Sequence, residues 1–378
     1  YVASGNYSQP KESALLQDRL YINDGNGNFS KGELPKMLSV TKAISSADID
    51  NDGDQDLFIG GRVVPGEYPT APESFLLENN GGIFRIITSK KAKGLETIGM
   101  VNDAVFSDYD NDGDHDLIVA GEWMPIWFFN NEGGKFSKVD LISDIKTGWF
   151  QAIKALDYDG DGDDDYFVGN LGENNKFHPN QEKPLHIYAN NFDENGSYDI
   201  ALSKTYEGVL FPVRGKECSS QQTPFLNEKI KSYSEFANSS LIDVYGEKNI
   251  ETALHLQVTS FSSYYIENKG NQNFEFKPLP KQSQFSPTLD FEFVDINNDN
   301  SKEILGVGSI YDAEFETVRY DASKGYLLAS NANTITLYAD LIPITDGDVK
   351  AIESISIKGK TYILMLNSDQ ELSVLKID

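Results

Sequence analysis

Three nine-residue stretches of this chain repeat one pattern, D-x-D-x-D-G-D-x-D: DIDNDGDQD at Asp48–Asp56, DYDNDGDHD at Asp108–Asp116 and DYDGDGDDD at Asp157–Asp165. Carboxylates packed this densely repel one another, so such a segment is stable in a compact form only around a cation. The spacing offers oxygens at alternate positions, and the glycine at position 6 permits a sharp bend. A hard cation that takes about six to eight oxygens at about 2.3–2.6 Å fits that set, which is the chemistry of calcium. Asp48, Asp50, Asp52 and Asp56 are then side-chain ligands of the first loop, and Asp54 contributes its main-chain carbonyl. The same positions are Asp108, Asp110, Asp112, Asp114 and Asp116 in the second loop and Asp157, Asp159, Asp161, Asp163 and Asp165 in the third. No His or Cys occupies a ligand position, which argues against zinc or copper.

An EF-hand loop starts the same way but needs a Glu at position 12 and flanking helices. Position 12 is Ile59, Val119 or Val168 here, inside the apolar runs DLFIGG, DLIVAG and DYFVGN. Those runs read as strands, so the cation sits in a tight strand-to-strand turn. Two weaker copies extend the series. NFDENGSYD offers Asn191, Asp193, Asn195, Ser197 and Asp199 with Gly196 at the bend, and is a fourth candidate calcium site that joins a hairpin. DINNDNSKE offers Asp295, Asn297, Asp299, Ser301 and Glu303, but Asn300 replaces the glycine, and it reads as a turn that keeps its shape without an ion.

The loops also explain the composition. The formal net charge is -27, yet 22 of the 59 Asp and Glu lie in these five segments, and the other 37 face 32 Lys and Arg. Bound divalent ions offset much of the charge, so a smooth acidic patch for a basic partner is not implied, and the lack of a basic stripe argues against nucleic acid. The single Cys218 excludes an internal disulfide framework, and no apolar stretch is long enough for a transmembrane helix, so no membrane insertion is expected. The chain opens on Tyr1 rather than Met, which implies a removed leader or a longer precursor.

A second unit recurs farther along: an apolar strand, an Asn/Gly turn and a Phe, at residues 19–29, 74–84, 126–136 and 263–274. These are β-hairpins. Strand, acidic loop, strand, connection, hairpin makes four strands per repeat, with the strong loops starting 60 and then 49 residues apart. That period predicts an all-β fold, a β-propeller of four-stranded blades forming one domain over residues 1–378. The first residues match the strand after an acidic loop, so the chain starts in mid-blade. VKAIESISI, YILMLNS and LSVLKI supply three strands of a last blade. Seven blades are favoured over six. Residues 218–246 break the pattern with helical spacing of Phe236, Leu241 and Val244 and with Ser234 placed as an N-cap, and read as one or two helices inserted within about residues 205–250.

The loops and the strands after them resemble the FG-GAP or VCBS repeats of integrin-alpha-like propellers. QDRLYINDG, GGRVVPGEYP, GEWMP and GNLG are similar to exported bacterial VCBS-repeat proteins, and the resemblance extends over nearly the whole chain. It implies an extracellular, periplasmic or cell-surface protein, companion domains in a longer polypeptide, and structural calcium ions on the face opposite the ligand-binding surface. A site with a Kd near 0.1 mM contributes roughly 1.4 kcal/mol at 1 mM calcium, so three contribute about 4 kcal/mol.

The connections after the second strand of each repeat converge on that other face. With the turns around Asp103, Trp149 and Gln151 they place Arg62, Glu67, Tyr68, Glu122, Trp123, Asn170 and Asn174 around a mouth suited to a glycan or protein ligand. Replacing Trp123 and Arg62 is then expected to abolish binding without lowering stability. The competing reading makes the same turns packing elements with Trp123 and Trp149 buried. Catalysis is not expected: His115, His178, His186 and His255 form no triad, and the obvious carboxylates are committed to metal. A glycoside hydrolase or polysaccharide lyase with Glu122 and Glu67 as acid and base is the alternative, and it needs an accessible carboxyl pair about 5–10 Å apart.

Overall fold

In a computed structural model, the structure describes residues 1–141, 146–313, 317–323, 325–331, 334–338, 347–368 and 370–377. It is all-β with a few short helices. Each strong aspartate loop joins the first two strands of an antiparallel meander. Sheet 1 comprises Val40–Ala47, Asp56–Val63, Phe75–Asn80 and Ile83–Ile86, and sheet 2 comprises Met100–Ser107, Asp116–Pro125, Trp127–Asn131 and Phe136–Val139. Thr147–Trp149 pairs with the far end of Asp116–Pro125.

Sheet 3 begins with Ala152–Leu156 and Asp165–Gly169, but its other two strands are Tyr264–Asn268 and Phe274–Pro278. The insertion is therefore larger than a pair of helices. Between Gly169 and Tyr264 the chain builds a further antiparallel sheet, in the order Val209–Pro212, Asp199–Tyr206, Leu185–Asn190, Leu254–Val258, and five short helices within 216–251. The weak loop at 191 joins two strands of this inserted sheet, as a hairpin. Helix Tyr233–Ala237 is capped by Ser232 and helix Leu241–Tyr245 by Ser240, so Ser234 lies inside a helix and is not its cap. Ser232 and Ser240 accept the N–H three residues on, which Ser234 is placed too late to do.

Sheet 4 is Asp290–Val294, Glu303–Val307, Tyr326–Asn331 and Thr334–Leu337. Val349–Ile357, Lys360–Asn367 and Ser373–Lys376 form sheet 5 with three strands. All four hairpins read from the sequence form. At the N-terminus, Val2 bridges Arg19 beside the hairpin Tyr21–Asn23 and Phe29–Lys31.

Successive sheets bury one another's faces in chain order. Phe58 and Leu76 of sheet 1 pack with Val101, Val119 and Phe129 of sheet 2. Ile118 and Phe128 of sheet 2 meet Tyr166, Ile266 and Phe274 of sheet 3. Phe167 and Tyr265 meet Phe291 and Leu328, and Leu305 and Leu327 meet Ile363 and Met365. The small residues that end each second strand permit this closeness: a Cβ on Gly60 would stand 2.6 Å from Val101 Cγ1, and one on Gly169 would collide with the carbonyl oxygen of Thr288.

The first strands of the five sheets lie in sequence beside one another, and cross-sheet hydrogen bonds tie them together. Asp103 accepts from the Ile153 N–H at 2.9 Å, and Asp290 accepts from the Ile352 N–H at 3.0 Å. Asn102 donates to the Phe150 carbonyl at 2.7 Å. The charges of these strands face one another, with Lys154 3.8 Å from Asp290.

Candidate functional site

One hydrogen-bond plan shapes all five acidic loops. The carboxylate at position 9 reaches back to the N–H at position 2: Asp56 to Ile49 at 3.0 Å, Asp116 to Tyr109 at 3.2 Å, Asp165 to Tyr158 at 3.3 Å, Asp199 to Phe192 at 3.1 Å and Glu303 to Ile296 at 2.9 Å. Positions 4 and 6 adopt left-handed backbone in every copy, as in Asn51 (φ 60°) and Gly53 (φ 93°). Asn298 and Asn300 hold the same pair in the last copy at φ 62° and 68°, which asparagine tolerates, so that loop keeps the turn without its glycine.

The first two loops agree bond for bond. Asp48 accepts from the N–H groups of Asp52 and Gly53, and Asp108 from those of Asp112 and Gly113. Asp54 and Asp114 spend a carboxylate oxygen on the hairpin N–H of Gly81 and Gly133, which leaves the side chain at position 7 tied to the next turn. The second oxygen of Asp56 and of Asp116 accepts the N–H of Asn79 and of Asn131, each at 2.7 Å. The recurring hairpin asparagine is thus the partner of the recurring aspartate.

Asp48, Asp50 and Asp56 bring carboxylate oxygens within 4.8 Å of one another, and so do Asp108, Asp110 and Asp116. Asp50 Oδ1 and Asp110 Oδ1 are buried without a hydrogen-bond partner. Burial pushes the Asp116 carboxyl up to about 7, with the charges of Asp110 and Asp112 acting the same way. An anionic, all-oxygen cluster with buried unpaired oxygens fits a hard cation.

The third loop differs. Asp157 turns to the N–H of Gly160, and Asp165 takes the Tyr265 hydroxyl at 2.7 Å in addition to the Asn268 N–H. The group that gathers is Asp157, Asp159 and Asp161, without Asp165, and the buried unpartnered oxygen belongs to Asp163. In the loop at 191, Asn195 donates its amide to Asp193. In the loop at 295, Asn297 donates to Asp299 and Glu303 at 2.9 and 3.1 Å, so an amide N–H occupies the carboxylates that a cation would need.

At the opposite end of the same strands stands a polar and aromatic cluster. Arg62 pairs with Glu122 at 2.6 Å, and Tyr68 donates to the other Glu122 oxygen at 3.3 Å while accepting from Trp123 Nε1 at 2.6 Å. Trp149 packs edge-on against Trp123 at 5.3 Å. Of the residues expected at the mouth, Arg62, Tyr68, Glu122, Trp123 and Trp149 meet. Glu67 pairs with Lys11 at the exposed surface, at 2.8 Å. Asn170 is fully buried and braces the turn, accepting from the Trp149 and Leu171 N–H groups and donating to the carbonyls of Ser260 and Ser262. Asn174 is exposed and donates to the Phe285 carbonyl.

Two residues that the sequence did not single out, Lys42 and Asn102, enter the cluster. Lys42 Nζ donates to Asn102 Oδ1 at 3.0 Å and to Gln151 Oε1 at 3.2 Å. Gln151 in turn reaches Glu122 at 3.4 Å, connecting the cluster to the inner strands. Lys42 is ringed by protein but remains accessible to solvent. Partial loss of hydration and then the like charge of Arg62 hold its ammonium below the usual lysine range, less strongly than full burial would.

Trp123 is only 4 % exposed and belongs to a packed group with Met100, Leu171 and Phe261. Its replacement is therefore expected to cost stability, as the packing reading of these turns has it and the binding-mouth reading does not. The 191 loop lies apart from the three strong loops: Ser197 and Asp199 line the same cavity as Arg62 and Tyr68.

No helix among the described residues is long and apolar enough to cross a membrane. No curated protein sequence matches the chain. Among solved structures it is similar to the V. cholerae biofilm matrix protein Bap1, at 9 % identity over 86 % of this chain and 74 % of that one, with a TM-score of 0.28, below the level at which two chains share a fold. The family model for the FG-GAP-like repeat matches residues 108–168, which is less than the near-complete span expected from sequence. That segment begins and ends with the second and third aspartate loops and their following strands, and it is an FG-GAP-like repeat.

Proposed function

We propose that the chain is an extracellular β-propeller braced by calcium, acting as a binding or scaffolding module and not as an enzyme, with a glycan or protein ligand received on the face that carries Arg62, Tyr68 and Glu122. One strand carries this reading. In Asp56–Val63, Asp56 closes the first acidic loop at one end and Arg62 enters the polar cluster at the other. Metal at one end holds the strand whose far end presents the site.

The propeller reading is supported by the sequential packing of five sheets through their first strands. The N-terminal hairpin supplies two strands toward a sixth blade. Calcium is favoured over magnesium because flexible carboxylate loops suit a larger ion with more ligands. Weak extracellular-type calcium sites fill where the free ion is millimolar, and FG-GAP-like character at 108–168 agrees with an exported protein.

A glycan and protein array probed with the full chain, with calcium and with chelator, tests the reading. Binding that requires calcium and is lost in Arg62→Ala supports it. Binding that survives chelation and ignores Arg62 sinks it.

A further inference from the structure

The helical part of the insertion is entered from strand Leu185–Asn190 by way of the 191 loop and left on strand Leu254–Val258, and these two strands pair antiparallel. Each carries one histidine at this neck. His186 lies directly opposite Gln257, and Tyr188 directly opposite His255, so the four side chains share one face of the inserted sheet.

His186 Nδ1 and His255 Nε2 stand 2.9 Å apart. The Tyr188 ring stacks on His255, with centroids 4.2 Å apart and planes 5° apart, and so restricts the direction of that imidazole. Among the described residues, the contact between the two nitrogens is the only hydrogen bond at either ring. His186 is buried, while His255 and Gln257 are exposed, which opens the pair to solvent on one side. Burial favours the neutral form of both rings, the form that ligates a metal.

One shared proton satisfies this pair as a hydrogen bond. A metal ion in its place uses both nitrogens at once. Two nitrogens at about 2.0–2.1 Å from one ion are about 2.9 Å apart when the bonds meet at a right angle, and about 3.4 Å apart in a tetrahedral set. The observed separation is the right-angle one, which belongs to the tetragonal sites of copper(II) and nickel(II). The ring centroids are 5.2 Å apart, so the nitrogens face each other, and a turn of the exposed His255 aims both lone pairs at one ion. Gln257 offers an amide oxygen on the same face, and water completes the open side. Ser203, opposite His186 on the next strand, has a buried hydroxyl with no hydrogen-bond partner, an unspent acceptor for the proton that metal binding leaves on His186 Nε2.

We propose that His186 and His255 are ligands of one divalent transition-metal ion, copper(II) in preference to nickel(II) or zinc(II), which clasps the neck of the insertion. Two imidazoles without a carboxylate suit such an ion and not calcium, so this site is distinct in kind from the aspartate loops. The histidines are 69 residues apart in the chain, and a bond that closes so long a segment restricts its unfolded forms. The bound ion thereby steadies the inserted sheet.

The test titrates the full chain, saturated with calcium, with copper(II) and with zinc(II) chloride near neutral pH by calorimetry, and examines the copper(II) form by electron paramagnetic resonance. The expected result is a copper(II) ion held through two imidazole nitrogens, tighter than zinc(II), and bound about tenfold or more weakly in His186→Gln and in His255→Gln. His178→Gln leaves that affinity unchanged. Copper(II) also slows hydrogen exchange of Leu185–Asn190 and Leu254–Val258 in the wild type and not in the two variants. His255 is exposed, so His255→Gln decides alone if His186→Gln does not fold. Copper(II) affinity and spectrum unchanged in His255→Gln, or no two-nitrogen signal in the wild type, overturns the inference and leaves the pair a hydrogen bond.

Discussion

Asn131 donates its side-chain N–H to the carbonyl of Ile49 at 2.8 Å, from a hairpin of sheet 2 into the first aspartate loop. Asn268 of sheet 3 repeats the contact on Tyr109 of the second loop at 2.9 Å. Each of these two loops is thereby closed by its own sheet and clamped by the next, so a cation bound there would be coupled to sheet-to-sheet packing.

Asn131→Ala removes that clamp together with its bonds to the His115 carbonyl and the Gly134 N–H, at a site with no exposed surface. The expected loss is about 3 kcal/mol, from buried groups left unpaired. Urea denaturation at saturating calcium measures it, and the variant also needs more calcium to reach half-saturation of the first site.

Asp110→Asn has opposite effects with and without calcium. In chelator it relieves repulsion from Asp112 and Asp108, and the melting temperature holds or rises. At millimolar calcium it forfeits a ligand, and the second site binds about tenfold more weakly, about 1.4 kcal/mol. Parallel melts of wild type and variant in the two conditions check the crossing.

His186 and His255 face each other at 2.9 Å on neighbouring strands of the inserted sheet, with Tyr188 stacked on His255. Burial and then the His255 charge push His186 down to about 4, and burial lowers His255 as well. The unfolded chain therefore binds more protons than the folded one between an ordinary histidine value near 6.5 and about 4. Stability is fully present above that window and falls as pH drops through it. His186→Asn flattens this part of the profile, read as the difference between variant and wild-type denaturation at fixed calcium.

Trp123→Ala is expected to cost about 3–5 kcal/mol, the usual range for deleting a buried large aromatic. Loss of ligand binding in that variant alone would not identify a contact residue. Arg62→Ala is milder, because Glu122 keeps Tyr68 and Gln151, and a thermal melt separates the two.

Local chemistry was legible in the sequence and distant assembly was not. Nine consecutive residues fix each acidic loop, so Asp48 to Asp56 could be read as one unit, and the hairpin turns carry their glycines beside them. The pairing of Asp56 with Asn79 joins two motifs that were both seen, but only the sheet brings them together. Lys42 and Asn102 carry no local signature: they meet because separate first strands lie side by side. Sheet 3 was harder still, since Gly169 and Tyr264 are separated by an insertion with its own strands and its own acidic loop. Trp123 could be read as a packed turn or as a binding platform, and its burial agrees with the packed turn.

If the aspartate loops are metal-dependent scaffolding, the melting temperature of the chain differs between chelator and a calcium titration. Three sites with a Kd near 0.1 mM would together contribute about 4 kcal/mol at 1 mM calcium, a large share of ordinary domain stability. The melting temperature is expected to rise markedly and saturably with calcium, to fall back in chelator, and to rise less in Asp50→Asn or Asp110→Asn. A melt that is the same in chelator and in millimolar calcium would contradict it.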